Sequence, residues 1–382
     1  MMKKVMLLIG LFWMLMACPV YAQSEADLEL LNNSMLQWMH QYKIPGAAVV
    51  VINDGQSSMY TFGGTTRSGP TKVNPQTIFE VGSITKLMTV LLLAEAVNRN
   101  EMQLSDPIIK YLPDLSNNDF FKQVTLEQLA THTAGLPLGA PADVKTPEQL
   151  QAYLLQFKAT RSTNVTWQYS NLGIGLIGLA LQKKYDEDIN QLYIENILQP
   201  LNMQPLGVSL TGGAGANMAQ GYTAGGDPAA MTLGTLFPSA GELKASIVDM
   251  ENFLSAAIGL YGTPSDIQRA MQLTQTPRVQ LDDMQQGMGW QLYALDNKNQ
   301  LLNASSQMNM GPLSGQWLSD NQKQFNANTL IDKTGATDGF RAYIGLIPGQ
   351  RSGIVILANH YVDNGAIVNL GRKILLNLDK DT

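Results

Sequence analysis

Cysteine is nearly absent from this sequence, and histidine is rare. The only cysteine of the 382-residue chain is Cys18, and the three histidines are His40, His132 and His360. None of the histidines has the spacing of a helical zinc site. Once a leader that contains Cys18 is removed, disulfide bonds, thiolate catalysis and a cysteine metal site are all excluded. We therefore expect neither a metal ion nor another cofactor.

Charged residues make up only 15% of the chain, and basic residues are the minority among them. The sequence has 25 Lys and Arg against 31 Asp and Glu, a formal net charge of −6. Loss of two N-terminal lysines leaves 23 basic residues against 31 acidic ones, a net charge of −8. This balance argues against nucleic acid or an anionic membrane as partner. We expect a small-molecule ligand and a monomer.

The first 22 residues predict a secretory signal peptide. Two lysines begin it, Val5 to Ala17 is almost wholly apolar, and small residues precede a cleavage site after Ala22. The apolar stretch is short for a membrane-spanning helix, although an uncleaved anchor is an alternative. Lipidation at Cys18 is a second alternative, because the four residues that end there resemble a lipobox. We expect cleavage after Ala22, no membrane span afterwards, and export to an oxidising compartment such as the periplasm.

Apolar periodicity predicts helices and strands in a clear order along the chain. Asn53-Asp54-Gly55 is expected to join the first two strands, and Gly335 and Pro348-Gly349 are expected to be turns between later strands. Residues 209–240 predict loops and short strands. The expected helices are 25–42, 84–98, 125–132, 147–157, 172–185, 189–198, 246–260 and 364–378, and the expected strands are 47–52, 59–62, 328–333, 340–347 and 353–358.

Strands at both ends of the chain around a helical middle predict an α+β fold. We expect an antiparallel sheet flanked by the N- and C-terminal helices, with an inserted all-helical lobe. After the signal peptide at 1–22, the predicted organisation is an α/β domain made of 23–80 and 205–382 and a helical lobe at 81–204. Together they form one catalytic unit, with the ligand where the two lobes meet.

Ser83-Ile-Thr-Lys86 places a hydroxyl and an amine one helical turn apart at the start of a long apolar run. A serine there lies at the positive end of the helix dipole and needs a nearby base or a perturbed lysine to attack a substrate. The same serine could be only a helix N-cap. These four residues alone do not decide between the two interpretations.

Two further motifs would supply what such a serine needs. Tyr169-Ser170-Asn171 offers a phenol that nearby ammonium groups can acidify, and an amide that can both donate and accept hydrogen bonds. Lys333-Thr334-Gly335 offers an ammonium and a hydroxyl for a substrate carboxylate, and a glycine that lets a ligand approach the backbone. The Ala336 N–H could complete an oxyanion hole with that of Ser83. Each motif alone also fits ordinary capping, packing or turn residues.

The combination is more specific than any single motif. Ser-x-x-Lys, Tyr-x-Asn and Lys-Thr-Gly each occur once, in that order, and Ser-x-x-Lys with Lys-Thr-Gly is typical of β-lactamases and penicillin-binding proteins. Over nearly the whole mature sequence the chain resembles the class C (AmpC-type) serine β-lactamases of the penicillin-recognising superfamily. The other matching segments are Lys43-Ile44-Pro45-Gly46, Leu104-Ser105-Asp106-Pro107, Thr131-His132-Thr133-Ala134-Gly135-Leu136-Pro137, Gln286-Gly287-Met288-Gly289-Trp290 and 353–359.

This resemblance implies the serine β-lactamase/D,D-peptidase fold and a set of site residues. Ser83 would be acylated by the β-lactam carbonyl, and Lys86 and Tyr169 would transfer protons. The implied substrate-binding residues are Asn171 for the side-chain amide, Lys333, Thr334 and Gly335 for the carboxylate end, Ala336 for the oxyanion, and Asn364 near the carboxylate.

The chain departs from the class C pattern at two places. Gly139 stands where the family usually has a glutamine after the Ala-Gly-Leu-Pro turn. The tyrosine that walls the cleft in the family is absent from Pro238-Ser239-Ala240-Gly241-Glu242-Leu243. We expect these changes to affect substrate range and turnover. The resemblance predicts a periplasmic β-lactamase, with a D-alanyl-D-alanine peptidase or esterase as the alternative and a non-hydrolytic penicillin-binding sensor as a third possibility.

Overall fold

A computed structural model of the chain describes residues 25–158, 166–208, 217–260, 262–296, 298–304 and 311–378. The predicted signal peptide, with Cys18 and the cleavage site after Ala22, lies outside these residues. Among the described helices, none combines the length and the apolar character that crossing a membrane requires.

The described residues contain the longer helices and strands that the periodicity predicts, together with several elements that it does not. The helices are α1 Glu25–Tyr42, α2 Thr85–Asn98, α3 Leu126–Ala130, α4 Pro147–Gln156, α5 Asn171–Tyr185, α6 Ile189–Tyr193, α7 Pro238–Gly241, α8 Ile247–Ile258, α9 Ser265–Thr274, α10 Lys298–Ala304 and α11 Asn364–Leu376. The strands are β1 Gly46–Asn53, β2 Gln56–Gly63, β3 Phe79–Glu80, β4 Thr166–Trp167, β5 Lys244–Ala245, β6 Val279–Leu281, β7 Met284–Gln286, β8 Gln291–Ala294, β9 Leu313–Trp317, β10 Thr329–Ala336, β11 Arg341–Ile347 and β12 Ser352–Ala358.

Most of the strands in the described ranges form one antiparallel sheet in the order β2-β1-β12-β11-β10-β8-β7-β6-β9-β4. The first hairpin turns at Asp54 and Gly55, both with positive φ, as the Asn-Asp-Gly signal predicts. The N-terminal strand β1 pairs directly with the C-terminal strand β12, so the two ends of the chain build the same sheet. The predicted α+β class and antiparallel sheet are confirmed.

The sheet is covered by helices on both faces, and β1 shows how. Alternate side chains of a strand point to opposite faces. Ala48, Val50 and Ile52 accordingly join the cluster that contains α2, α5 and α8, whereas Ala47, Val49 and Val51 join the cluster that contains α1 and α11. The first cluster includes residues of both the sheet and the helical stretch 85–198, so these regions share a continuous core.

The sequence predicts a turn at Gly335. In the structure Gly335 lies inside β10, which continues to Ala336. The reason for a glycine there is a close approach between two backbone segments. A Cβ on Gly335 would stand 1.9 Å from the carbonyl oxygen of Val81. The turn prediction is wrong because glycine is favoured both in turns and wherever two backbones touch.

Two other regions also differ from expectation. Within 209–240, the described residues contain no strand, only isolated bridges at Met218 and Tyr222. Conversely, strands β6 to β9 between residues 279 and 317 carry no clear sequence signal, and helix α9 is missed although its buried residues Ile267, Ala270, Met271 and Thr274 recur at helical spacing. The strands of this region are three to five residues long, and several of their side chains are half exposed, so their apolar alternation is weak.

Candidate active site

Ser83 lies at the point where the chain enters α2. A turn of 3-10 helix, Gly82–Ile84, precedes the helix, and its first residue has φ +52°. A Cβ on Gly82 would stand 2.5 Å from the backbone nitrogen of Ala336, so only glycine allows this turn to approach the end of β10 so closely. The half-buried Ser83 is thereby placed beside the open end of that strand.

Lys86 contacts Ser83 from one helical turn further along, as the Ser-x-x-Lys spacing predicts. Its Nζ donates a hydrogen bond to Ser83 Oγ at 2.9 Å and another to the carbonyl oxygen of Ala240 at 2.6 Å. The side chain is fully buried, and no carboxylate forms an ion pair with it among the described residues. Burial lowers the pKa of Lys86 to about 8, although the nearby Tyr169 acts to raise it.

Tyr169 lies between two lysines. The Nζ atoms of Lys86 and Lys333 are each 5.0 Å from the centroid of its ring. Its hydroxyl is buried and makes no well-formed hydrogen bond with a protein group within the described ranges. Burial alone would raise the pKa of Tyr169, but the positive charges of Lys333 and Lys86 outweigh it and lower the pKa to about 7.

The edge of β10 next to Ser83 is left open. Strand β8 pairs with β10 only from Thr329 to Asp332, so beyond that point no strand of the described residues pairs with this side of β10. Lys333 and Thr334, both buried, follow directly, and Lys333 Nζ donates to the Thr334 carbonyl oxygen at 2.8 Å. This edge could bind an extended ligand through its backbone groups.

The backbone N–H of Ala336 faces away from β11. Thr337 N–H bonds to the Phe340 carbonyl, so by the alternation of an antiparallel pair the next residues, Ala336 and Arg341, form a non-hydrogen-bonded pair. The Ala336 N–H therefore points toward the turn that carries Ser83. Its predicted pairing with the Ser83 N–H in an oxyanion hole stays a prediction.

Asn171 is the first residue of α5, two positions after Tyr169. Ser170 caps this helix: its Oγ accepts the Gly173 N–H at 2.9 Å and donates to the Pro137 carbonyl oxygen at 2.6 Å. The Oδ1 atom of Asn171 is buried and has no protein partner among the residues that the structure describes. A buried amide oxygen of this kind is available to a donor on a ligand.

Asn364 begins α11, and its Oδ1 is likewise buried without a protein partner in the described ranges of the chain. Arg341 ties the preceding loop to the end of β10, because its guanidinium donates to the carbonyl oxygens of Val362 and Thr337. The structure gives no contact of Asn364 with Ser83 or Lys333. Its predicted place near the carboxylate stays a prediction.

The two departures from the class C pattern also have a place in the structure. A Cβ on Gly139 would meet no atom within 4 Å, and the neighbouring Leu138 is 43% exposed, so this side of the site is open. The segment without the family tyrosine forms α7, and it presents the Ala240 carbonyl oxygen to Lys86. A backbone group there thus contacts the lysine directly.

Sequence reasoning overlooked His132 and Trp167 as site residues. His132 is buried against Tyr169, with ring centroids 4.5 Å apart, and Trp167 packs on the same group. The sequence signal for His132 is the Thr131-His132-Thr133-Ala134-Gly135 segment, which resembles the family pattern but does not reveal a contact with Tyr169. The ring contacts depend on the folded chain and have no local pattern.

A serine hydroxyl, two lysine amines and an acidified phenol thus meet at one end of β10, beside a pair of backbone donors. Such a group can perform nucleophilic attack on a carbonyl and the accompanying proton transfers.

The chain is similar to known proteins over most of its length. The sequence profile of the β-lactamase family matches residues 31–377. The β-lactamase of Lysobacter lactamgenus is 32% identical over 94% of this chain and 93% of its own. The crystal structure of a β-lactamase/D-alanine carboxypeptidase from Pseudomonas syringae has a TM-score of 0.87 at 25% identity, over 93% of this chain and all of that one. A class C β-lactamase has a TM-score of 0.86 at 26% identity, over 94% of this chain and 98% of that one.

Fold, motif order and similarity over nearly the full length therefore agree with the resemblance predicted from sequence. The chain belongs to the β-lactamase family, as an AmpC-type serine enzyme of the penicillin-recognising superfamily.

Proposed function

We propose that this protein hydrolyses β-lactams, the penicillins and cephalosporins, through a covalent acyl-enzyme on Ser83. One observation supports the proposal above the others: Lys86 Nζ lies 2.9 Å from Ser83 Oγ without an acidic partner in the described ranges, and Tyr169 lies beside it. The family membership and the β-lactamases among the relatives agree with this activity.

In the acylation step Ser83 Oγ attacks the lactam carbonyl carbon and loses its proton to the base formed by Lys86 and Tyr169. The pKa of Lys86 is about 8 and that of Tyr169 is about 7, so both groups exist partly in their basic forms at neutral pH. The carbonyl oxygen becomes an oxyanion, to which the N–H groups of Ser83 and Ala336 donate. The C–N bond of the ring then breaks, and the nitrogen receives the proton.

In the deacylation step water attacks the ester on Ser83. The Tyr169 phenolate accepts a proton from this water, and the proton returns to Ser83 Oγ as the ester bond breaks. Lys86 and Lys333 stabilise the phenolate by charge. The product is the ring-opened acid, and the free serine is restored.

The remaining predicted residues would hold the substrate. Asn171 offers its buried amide oxygen to the side-chain amide of the antibiotic. Lys333 and Thr334 would bind the carboxylate, and the open edge of β10 at Gly335 would run beside the ligand. Asn364 would lie further along the carboxylate side.

A D-alanyl-D-alanine peptidase is the second candidate, because one similar structure is named as both a β-lactamase and a D-alanine carboxypeptidase. An esterase has the same chemical requirements, and a non-hydrolytic penicillin sensor would need only the acylation step. All of these predict covalent labelling of Ser83 by a penicillin, so labelling alone does not separate them.

Steady-state turnover separates them. We expect the protein to hydrolyse a chromogenic cephalosporin continuously and to cleave a D-Ala-D-Ala peptide far more slowly. Ser83→Ala should abolish both the turnover and the labelling while leaving the fold intact by circular dichroism. A stoichiometric burst without further hydrolysis would contradict β-lactamase activity and favour a peptidase or sensor.

We also propose that residues 1–22 are a signal peptide and that the mature protein is a periplasmic monomer. Support comes from the basic start, the apolar stretch and the small residues before the cleavage site. The mass of the exported protein tests this: cleavage after Ala22 and lipidation at Cys18 give different N-termini. Sedimentation tests the monomer.

The division into an α/β domain of 23–80 with 205–382 and a helical lobe of 81–204 is likewise a proposal. The site supports this division, because Ser83 and Tyr169 belong to the helical lobe and Lys333 belongs to the α/β domain. Hydrogen–deuterium exchange tests the division, because residues 81–204 should open and close as a group; a cooperative group that crossed the boundaries at 80 and 205 would contradict it.

A further inference from the structure

His132 contacts the segment of Tyr169 at three points. Its backbone carbonyl accepts the Gln168 N–H at 2.8 Å, and its Nδ1 accepts the Ser170 N–H at 3.2 Å. Its ring packs on the ring of Tyr169, with centroids 4.5 Å apart and planes tilted by 44°. One residue therefore holds the residue before the tyrosine, the residue after it and the aromatic ring itself.

The contact with Ser170 requires a neutral imidazole. Nδ1 can accept an N–H only when it has no proton, so the proton of the ring lies on Nε2. His132 is 2% exposed. Burial lowers its pKa well below the usual value, and the charges of Lys86 and Lys333 act in the same direction. The acceptor is therefore available at neutral pH.

The backbone at His132 restricts which residues can replace it. Its φ is +60°, in the left-handed region that few non-glycine residues adopt, with Asn, Asp and His enriched among those that do. An apolar side chain here would be strained, and it would leave the Ser170 N–H buried without its acceptor. Simple filling of space does not explain a histidine at this position.

The position of the Tyr169 ring matters because the charges of Lys86 and Lys333 lower the pKa of its hydroxyl only at short range. The Nζ atoms of both lysines lie 5.0 Å from the centroid of the ring, and the Coulomb energy between these ammonium groups and the phenolate oxygen falls as their separation grows. A small rotation of the ring would take the hydroxyl away from the ammonium groups and from Ser83.

We propose that His132 is a positioning residue for Tyr169: by binding the backbone on both sides of the tyrosine and packing on its ring, it holds the phenol beside Ser83, Lys86 and Lys333. The inference rests on the proposed function for its effect on catalysis. Its effect on the phenol itself does not depend on which substrate the enzyme uses.

Two amide substitutions test the hydrogen bond to Ser170. Both remove the imidazole ring, but only one of them keeps an acceptor for the Ser170 N–H. In His132→Asn the Oδ1 atom takes the position of Nδ1, and asparagine tolerates the positive φ. In His132→Gln the amide oxygen lies one bond further out, near the position of Nε2, where it does not meet the Ser170 N–H. We expect His132→Gln to slow deacylation per active site about tenfold and His132→Asn to stay within about threefold of the wild type.

A double-mutant cycle shows whether the effect passes through Tyr169. If it does, His132→Gln should change the residual deacylation rate by less than about twofold in the Tyr169→Phe background. An equal loss in both backgrounds would overturn the proposal, because it would indicate a general effect on the fold. Rates are normalised to active sites by the stoichiometry of acylation, so partial unfolding does not enter them.

The phenol of Tyr169 provides a readout without substrate. Its phenolate absorbance in the ultraviolet, taken as the difference from Tyr169→Phe, should titrate near pH 7 in the wild type and at higher pH in His132→Gln. An unchanged titration would contradict the proposal. If the wild type failed to hydrolyse β-lactams while the titration moved as expected, the proposed function would fail and the positioning role would stand.

The asparagine variant covers the case in which His132→Gln does not fold. A folded His132→Asn protein should keep the low titration of Tyr169, since the acceptor is retained. If the pKa of Tyr169 in this variant returned to the ordinary tyrosine range, the hydrogen bond to Ser170 would not be what holds the phenol in place.

Discussion

Charge of one sign surrounds Tyr169, and this decides its chemistry. Tyr111 shows the opposite case in the same protein: its hydroxyl donates to Asp106 Oδ2 at 2.6 Å, and burial together with this carboxylate raises its pKa. Two similar side chains are thus driven in opposite directions by their neighbours. The pKa of Tyr169 is lowered to about 7, so its phenolate is accessible at neutral pH, whereas Tyr111 stays protonated.

Tyr169→Phe should slow deacylation by roughly 10²- to 10⁴-fold, because the variant has no group to accept the proton of the attacking water. In the wild type the same step should become slower as the pH falls below about 7, since the phenolate is then protonated. Single-turnover decay of the acyl-enzyme, followed by mass spectrometry from pH 5 to 9, measures both effects.

Tyr111→Phe is the matched control for that substitution. It also removes a buried hydroxyl, but one that lies beside Asp106 in the helical region of the chain. We expect its deacylation rate and pH profile to equal those of the wild type. A rate for Tyr169→Phe that stayed within the range of this control would remove Tyr169 from the mechanism.

The sequence predicts some contacts of the site and not others, for a physical reason. The Ser83–Lys86 contact lies within one helical turn, so spacing alone predicts it. The bond from Ser170 to His132 spans 38 positions, and the bond from Lys86 to Ala240 spans 154. Such contacts depend on how α2, α5 and the sheet pack, which no local pattern records.

Strand β10 and helix α11 show how elements support the site from behind. Asp332 lies on β10 next to Lys333, and its Oδ2 accepts from Arg372 Nε of α11 at 2.8 Å and from the Tyr343 hydroxyl at 3.0 Å. Both members of the ion pair are almost fully buried. The Arg372 guanidinium also lies 4.1 Å from the ring centroid of Tyr293 on β8. The pair therefore joins one helix to three strands.

Arg372→Met should destabilise the protein by about 3–5 kcal/mol, because it leaves the Asp332 carboxylate buried without its cation. Urea unfolding followed by circular dichroism measures the change. A second substitution, Asp332→Asn, should restore some of this loss in the double variant, since the uncompensated charge is then removed.

Lys122→Met provides the comparison for an exposed ion pair. Lys122 Nζ lies 2.6 Å from Asp119 Oδ1 at the surface, and such a pair contributes at most about 1 kcal/mol. If Arg372→Met cost no more than Lys122→Met, the buried pair would not anchor α11 to β10.

For the molecule as a whole, long periodic elements are predictable and short ones are not. The sequence predicts α1, α2 and α5 because each has an apolar pattern over 14 residues or more. It does not predict β6 to β9, which are only three to five residues long. Strand β9 also pairs with β6 from 34 to 38 positions away, which no local pattern records. The sheet and the helical stretch share a continuous core, so a charge buried between their elements affects the stability of the whole folded body.

Glu95 of α2 is such a charge. It is 5% exposed, and its Oε2 accepts no hydrogen bond from a protein group of the described ranges, with Arg99 3.8 Å away. Burial raises the pKa of Glu95 to about 7, Asp266 of α9 adds to this, and Arg99 opposes it. The folded state thus binds a proton that the unfolded chain releases at lower pH. This contribution to stability is present in acid and is lost as the pH rises to about 7.

Glu95→Gln should therefore raise the free energy of unfolding by about 1–3 kcal/mol at pH 8 and change it little at pH 5, because glutamine resembles the protonated acid. Urea unfolding at the two pH values measures the difference. Glu101→Gln is the control of opposite sign: the hydrogen bond from Tyr185 lowers the pKa of Glu101, so its removal should give no gain at pH 8. An equal effect of Glu95→Gln at pH 5 and pH 8 would show that the buried carboxyl does not titrate with folding, and that the contact between α2 and α9 tolerates its charge.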